Sequence, residues 1–187
     1  MYKHFIKRLI DFILVTVGMI VLAVPMLIIA VIIKITDPGP VFFKQKRVGI
    51  DKTYFDLYKF RSMKLNAPKD CPTHLLENPE QYITSFGKIL RKSGLDELPQ
   101  LFNIWTGKMS VVGPRPALWN QFDLIEERDK YGANYIRPGL TGWAQINGRD
   151  KLEIDIKAKF DGEYVEKMSF VFDCKCFLGT FKTILKF

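Results

Sequence analysis

The sequence predicts a helix-rich, mixed α/β fold in one domain, with a membrane-entering helix over residues 1–36 and a small polar body over 37–187. Three observations predict it: an uncharged apolar run at 12–33, two β-leaning runs either side of Gly49-Ile50-Asp51-Lys52, and helical spacing that resumes near residue 84. At 187 residues the chain is long enough for one modest core. Charged residues make up 26%, which argues against disorder, and the formal net charge is +8. That excess suits an anionic partner: nucleic acid, an anionic membrane surface or a phosphorylated small molecule.

The apolar run is as long as the roughly 20 residues that cross a bilayer as a helix. It exceeds an ordinary signal-peptide core and lacks a small-x-small cleavage pattern. Lys3, Lys7 and Arg8 precede it, and Lys34, Lys44, Lys46 and Arg47 follow it. Basic residues on both flanks favour the same, cytoplasmic side. Pro25 lies near the middle, where a missing backbone N–H kinks a helix. A re-entrant helix-break-helix satisfies both facts, and the sequence favours it over a spanning anchor.

Asp37-Pro38-Gly39-Pro40 then makes a turn, and the runs at 41–48 and 54–61 read as a β-hairpin. Lys59 and Arg61, two apart on its second strand, are expected on one face. Pro68, Pro72 and Pro79 mark 66–80 as a loop. Helical patterns cover 84–92, 96–105 and 121–130, and the glycine-rich stretch 137–149 reads as an ordered functional loop. Phe177, Phe181, Ile184 and Leu185 recur at helical spacing with Lys182 and Lys186 opposite. Such a helix lies either in a membrane interface or on the core.

The chemistry concentrates in Ser93-Gly94-Leu95-Asp96-Glu97-Leu98-Pro99. Pro99 belongs in a first helical turn, so Asp96 and Glu97 are expected at a helix N-terminus, where the dipole keeps a carboxylate ionised and attracts phosphate. Capping is the competing explanation for acidic residues there. Three rigid arginine turns strengthen the catalytic one: Gly113-Pro114-Arg115-Pro116, Ile136-Arg137-Pro138-Gly139, and the stretch ending Gln145-Ile146-Asn147-Gly148-Arg149. Guanidinium forks bind phosphate oxygens bidentately, and stiff loops lower the ordering cost. A protein that merely held anions would gain nothing from adjacent carboxylates, so the pair favours an enzyme over a membrane-anchored binding protein. No P-loop or dinucleotide fingerprint is present, and no nucleic-acid recognition motif, so nucleic acid is not expected as a partner. The three cysteines and two histidines form no metal-ligand pattern.

These residues resemble the bacterial monotopic phosphoglycosyl transferases over residues 5–185. The resemblance rests on Tyr58-Lys59-Phe60-Arg61-Ser62-Met63, Leu95-Asp96-Glu97-Leu98-Pro99-Gln100-Leu101, Gly113-Pro114-Arg115-Pro116 and Arg137-Pro138-Gly139-Leu140-Thr141-Gly142-Trp143. It implies a re-entrant helix and amphipathic interfacial helices around a catalytic body on the cytoplasmic face of the bacterial inner membrane, in contact with membrane lipid. It also implies a UDP-sugar donor, an undecaprenyl phosphate acceptor and Mg²⁺. Asp96 would attack the sugar-bearing phosphate, release UMP and pass the phosphosugar to the lipid. Glu97, with Asp96, would hold the metal. Lys59, Arg61, Arg91, Arg115, Arg137 and Arg149 are the phosphate candidates. Gln145 and Asn147 are candidates for nucleotide or sugar, and Asp161 and Tyr164 match further family positions. Many relatives carry a serine directly before the helix-breaking proline; here it is Val24, which leaves any kink to Pro25 alone.

Overall fold

Helix α1, Lys7–Thr36, is a single element that continues through Pro25. The chain thus stays helical through the expected break in the computed structural model, which describes residues 2–68, 76–148 and 151–184. A proline removes one hydrogen bond, and α1 is braced along its length against that loss. Asp11, Val15, Ile29 and Ile33 are buried at helical spacing, with Met19 and Met26 packed between them. The opposite face leaves Ile20, Val21, Val24 and Leu27 among its most exposed apolar side chains.

The buried stripe of α1 meets two clusters of the body. Val15 packs with Phe55, Leu57, Ile104 and Met109, and Ile29 and Ile33 pack with Phe60 and Leu90. Phe55, Leu57 and Phe60 belong to an antiparallel hairpin, β1 (Phe42–Val48) and β2 (Tyr54–Phe60), in the register Phe42↔Phe60 to Val48↔Tyr54. The turn uses Asp51 and Lys52 at positive φ (53° and 57°).

Helix α2, Ser85–Ser93, is capped by Thr84, whose Oγ1 accepts from Gly87 N at 2.9 Å. Gly94, at φ 73° in the left-handed region, ends it and reverses the chain. A 3₁₀ turn, Leu95–Glu97, follows and leads through Leu98 and Pro99 into α3, Gln100–Trp105. The helix expected from residue 96 is thus a tight turn followed by an α-helix. Asn103 of α3 binds the outer edge of β2 twice: it accepts from Tyr58 N (3.0 Å) and donates to Asp56 O (2.8 Å).

The remaining elements are β3 (Ser110–Val112), α4 (Phe122–Asp129), β4 (Gly139–Thr141), α5 (Trp143–Ile146), α6 (Ile154–Lys167) and α7 (Phe170–Ile184). Strands β3 and β4 pair in parallel, Ser110↔Gly139 and Val112↔Thr141. The stretch expected as a functional loop is therefore a short strand and one helical turn. Helix α7 begins before its amphipathic signal and contributes Cys176 to a buried cluster with Val112, Tyr164 and Met168, while Phe177, Leu178 and Phe181 stay exposed. Leu185 and Lys186 lie outside the described residues.

Candidate active site

Two motifs meet back to back below the parallel strands. Gly113 N donates to Thr141 O (2.8 Å) and Gly139 N to Pro114 O (2.8 Å). Their backbones approach so closely that a methyl on Gly139 would run into Gly113, which explains glycine at both places. The same pairing sends their arginines apart. Arg115 turns toward Glu97, whereas Arg137 turns to the end of α3 and donates through Nε to Gly107 O at 3.0 Å.

Arg115 helps line an open cavity of about 1300 Å³. Its wall brings together Lys59, Arg61, Arg91, Asp96, Glu97, Arg115 and Gln145. Lys59 comes from β2, Arg91 from the last turn of α2, and both carboxylates from the 3₁₀ turn. Lys59 Nζ and Arg115 Nη2 both donate to Glu97 Oε1, at 2.7 and 3.0 Å. Burial works to raise the Glu97 pKa, but Lys59 and Arg115 outweigh it and hold the carboxyl well below its ordinary range. Burial likewise lowers Lys59, against the pull of Glu97.

Asp96 is in a different state. It is buried, and no described residue donates a hydrogen bond to its carboxylate. Burial pushes its pKa up; Lys59, Arg91 and Arg115 pull it back, and Glu97 adds to the rise. The dipole-based expectation pointed the other way, but one 3₁₀ turn supplies less field than burial removes. The site thus pairs an anchored carboxylate with one whose lone pairs face the cavity, under three cations.

The other expected residues are engaged by other groups. Arg61 lines the cavity together with Lys59, and its backbone N donates to Val41 O (2.9 Å), carrying the hairpin one residue past Phe60. It is buried, donates to Asp37 O and lies 3.4 Å from Asp37 Oδ2, closing the turn after α1. Asn147 is exposed and donates to Trp143 O (2.8 Å). Asp161 is buried against Arg128, which donates from Nε (2.8 Å) and Nη2 (2.6 Å). Tyr164 is buried and its hydroxyl donates to Val112 O (3.0 Å) or Asp173 Oδ1 (2.6 Å). Neither borders the cavity. Arg149 lies outside the described residues.

Sequence reasoning missed Lys157 and Thr141 in the cavity wall, and Asn103, which fixes α3 to β2. A polar side chain inside an apolar helical pattern was the one signal for Asn103. Gln145 keeps its expected place at the wall, with both amide atoms buried and unpaired among the described residues. Among those residues no cluster of three or more His, Cys, Asp or Glu gathers to hold a metal.

The cavity wall thus sets paired carboxylates among fixed cations. The chain belongs to the bacterial sugar transferase family, whose model matches residues 2–187. It is 39% identical over 188 residues to a UDP-glucose:undecaprenyl-phosphate glucose-1-phosphate transferase of Escherichia coli (strain K12), covering 96% of this chain and 40% of that one. An uncharacterized sugar transferase, EpsL, of Bacillus subtilis (strain 168) is 37% identical over 180 residues, covering 96% and 87%. A UDP-N-acetylgalactosamine-undecaprenyl-phosphate N-acetylgalactosaminephosphotransferase of Aeromonas hydrophila is 36% identical over 189 residues, covering 97% and 44%. The chain thus spans less than half of the first and third relatives and most of the second.

Proposed function

We propose that the chain transfers a sugar-1-phosphate from a UDP-sugar to undecaprenyl phosphate through a phosphosugar held on Asp96. The observation that carries this reading is the contrast at the cavity wall: Glu97 is fixed by Lys59 and Arg115, while no described residue bonds the Asp96 carboxylate. An Asp96 oxygen attacks the phosphorus that bears the sugar, and the bond to UMP breaks as UMP leaves with its electron pair. An oxygen of undecaprenyl phosphate then attacks the same phosphorus, the bond to Asp96 breaks, and the carboxylate is regenerated. Each step brings anions together, so positioning and charge neutralisation dominate the barrier. Lys59, Arg91 and Arg115 are placed to supply that charge. Burial supports the nucleophile as well, because a desolvated carboxylate with open lone pairs is a stronger one.

Mg²⁺ fits the chemistry of the donor set. Asp96 and Glu97 are two adjacent carboxylates in a cavity suited to phosphates, and Mg²⁺ commonly takes one or two carboxylates and completes its shell with phosphate and water. When bound, it would neutralise the diphosphate and the departing UMP.

The same reading places the protein monotopically on the cytoplasmic face. Helix α1, about 45 Å long at 1.5 Å per residue, is tied to one body at both ends, through Lys7–Asp173 (2.6 Å) and Asp37–Arg61. A spanning helix would carry one end to the far side. Its apolar outer face suits the acyl layer, and the acceptor phosphate is confined to the adjoining headgroups.

The test is UMP release from a panel of UDP-sugars by solubilised protein with undecaprenyl phosphate and Mg²⁺. One sugar should give turnover, and EDTA should abolish it. Silence across the panel from folded protein would remove the transferase reading, and undiminished release in EDTA would remove the metal.

A further inference from the structure

Two arginines far apart in sequence meet outside the Asp96 cavity, at the end of α3. Arg8 donates through Nη1 to Ile104 O (2.5 Å) and through Nη2 to Trp105 O (2.8 Å). Arg137 donates through Nε to Gly107 O (3.0 Å). A methyl on Gly107 would stand 3.2 Å from Arg8 Nη2, so both guanidiniums flank one short turn. Their charges are close enough to oppose each other.

Capping the C-terminal carbonyls of α3 explains part of this arrangement. It does not explain all of it. A helix end carries about half a negative charge, against two full positive ones. The three bonds use three of the roughly ten N–H groups that two guanidiniums carry. No described carboxylate forms an ion pair with either arginine. Asp11 is the acid acting on Arg8, and it is engaged by Ser110 Oγ (2.7 Å) and Val111 N (3.1 Å). Exposed Lys108, next in the chain to Gly107, adds a third positive charge.

The neighbouring surface says what anion fits. Trp105, 40% exposed, stacks on Phe12 at 6.1 Å and on Phe102 at 6.2 Å, and Phe102 meets Tyr58 edge-on at 5.9 Å. Phe12 stands one turn from Arg8 on the same face of α1, with Leu9 and Ile13 exposed beside it. An exposed aromatic row at the margin of an apolar helix face matches headgroup depth. Forked cations directly behind such a row match lipid phosphate.

We infer that Arg8 and Arg137 bind the phosphate of an anionic phospholipid headgroup, with Trp105 and Phe12 seated in the acyl boundary beside it. The inference rests on the membrane placement of α1 proposed above. It separates this phosphate from the substrate phosphates, since neither arginine borders the Asp96 cavity. Its consequence is a preference for one lipid class and a fixed rotational setting of α1 in the interface.

The experiment uses the full chain in phosphatidylcholine vesicles containing a minor share of brominated phosphatidylglycerol or, in parallel, brominated phosphatidylcholine. Tryptophan quenching should favour phosphatidylglycerol, and Arg137→Gln should lower that preference about fivefold, the usual worth of one basic residue at a membrane surface. Arg137→Lys should restore only part of it, because a point charge replaces a fork. Arg8→Gln checks the partner, with circular dichroism confirming that α3 survives losing its cap. A charge-matched control, Lys151→Gln with Lys159→Gln, should keep the preference. Equal loss in that control would mean diffuse attraction by net charge and would overturn the site. Equal quenching by both lipids in the wild type would overturn it too, as would displacement of phosphatidylglycerol by undecaprenyl phosphate at matched charge. Failure to bind either vesicle would instead strike the membrane placement itself, and this inference with it.

Discussion

Asp96 and Asp161 are both buried aspartates whose pKa is raised first by burial and lowered in part by arginine. They differ in what holds their oxygens. Asp161 takes both the Nε and the Nη2 of Arg128 on one oxygen and borders no cavity. Asp96 has three cations near it and no described hydrogen bond, at the wall of a large cavity. A paired buried charge is a fastener, and breaking it costs more than making it gained. A buried carboxylate with unengaged lone pairs, under cations bound to something else, is suited to react. Burial and charge alone do not distinguish the two.

That comparison breaks most sharply at Asp96. Asp96→Asn should reduce UMP release by about a thousandfold or more, as losing a nucleophile does, while thermal melting stays near the wild type. Retained turnover would move the nucleophile elsewhere and dissolve the contrast.

Asp161→Asn should do the reverse. It leaves Arg128 buried without its counter-charge, and the cost should be about 3–5 kcal/mol of stability in denaturant titration. The protein that remains folded should release UMP at close to the normal rate. A loss of rate without a loss of stability would put Asp161 in the machinery after all.

The smallest effect is in pH dependence. Burial raises the Asp96 pKa, and the nucleophile must be deprotonated. Activity should therefore fall on the acid side with an apparent pKa above the roughly 3.9 of an unperturbed aspartate. Glu97, held well below its ordinary range, should stay ionised through that limb. Its contribution to stability is present above the unfolded glutamate pKa and is lost only as pH falls through its own lower value. A pH–rate profile with an acid limb at or below 3.9 would contradict the burial argument.

Much of this was legible in the chain. The hairpin followed from its turn and its β-leaning runs, α2 and α4 from helical spacing, and the carboxylate turn from Gly94 and Pro99. The cluster of Lys59, Asp96, Glu97 and Arg115 comes from three motifs that each carried a local signal. What the sequence could not show depends on partners distant in it. Arg115 and Arg137 stand in similar proline turns, yet back-to-back pairing of those turns sends one to the cavity and the other to α3. Asp161 and Tyr164 match family positions, and only the structure shows them bound to Arg128 and Asp173, away from the cavity wall. Pro25 announced a break, and the chain stays helical through it, with a buried stripe on either side.

The pair that fastens the first turn of α1 joins residues 166 positions apart, Lys7 and Asp173. A ribosome delivers the apolar helix long before it delivers α7. For most of synthesis, then, Lys7 has no Asp173 to meet, and the polar end of α1 is secured only once nearly all the intervening chain has emerged. Order of synthesis makes α7 the latch that closes late on the start of α1.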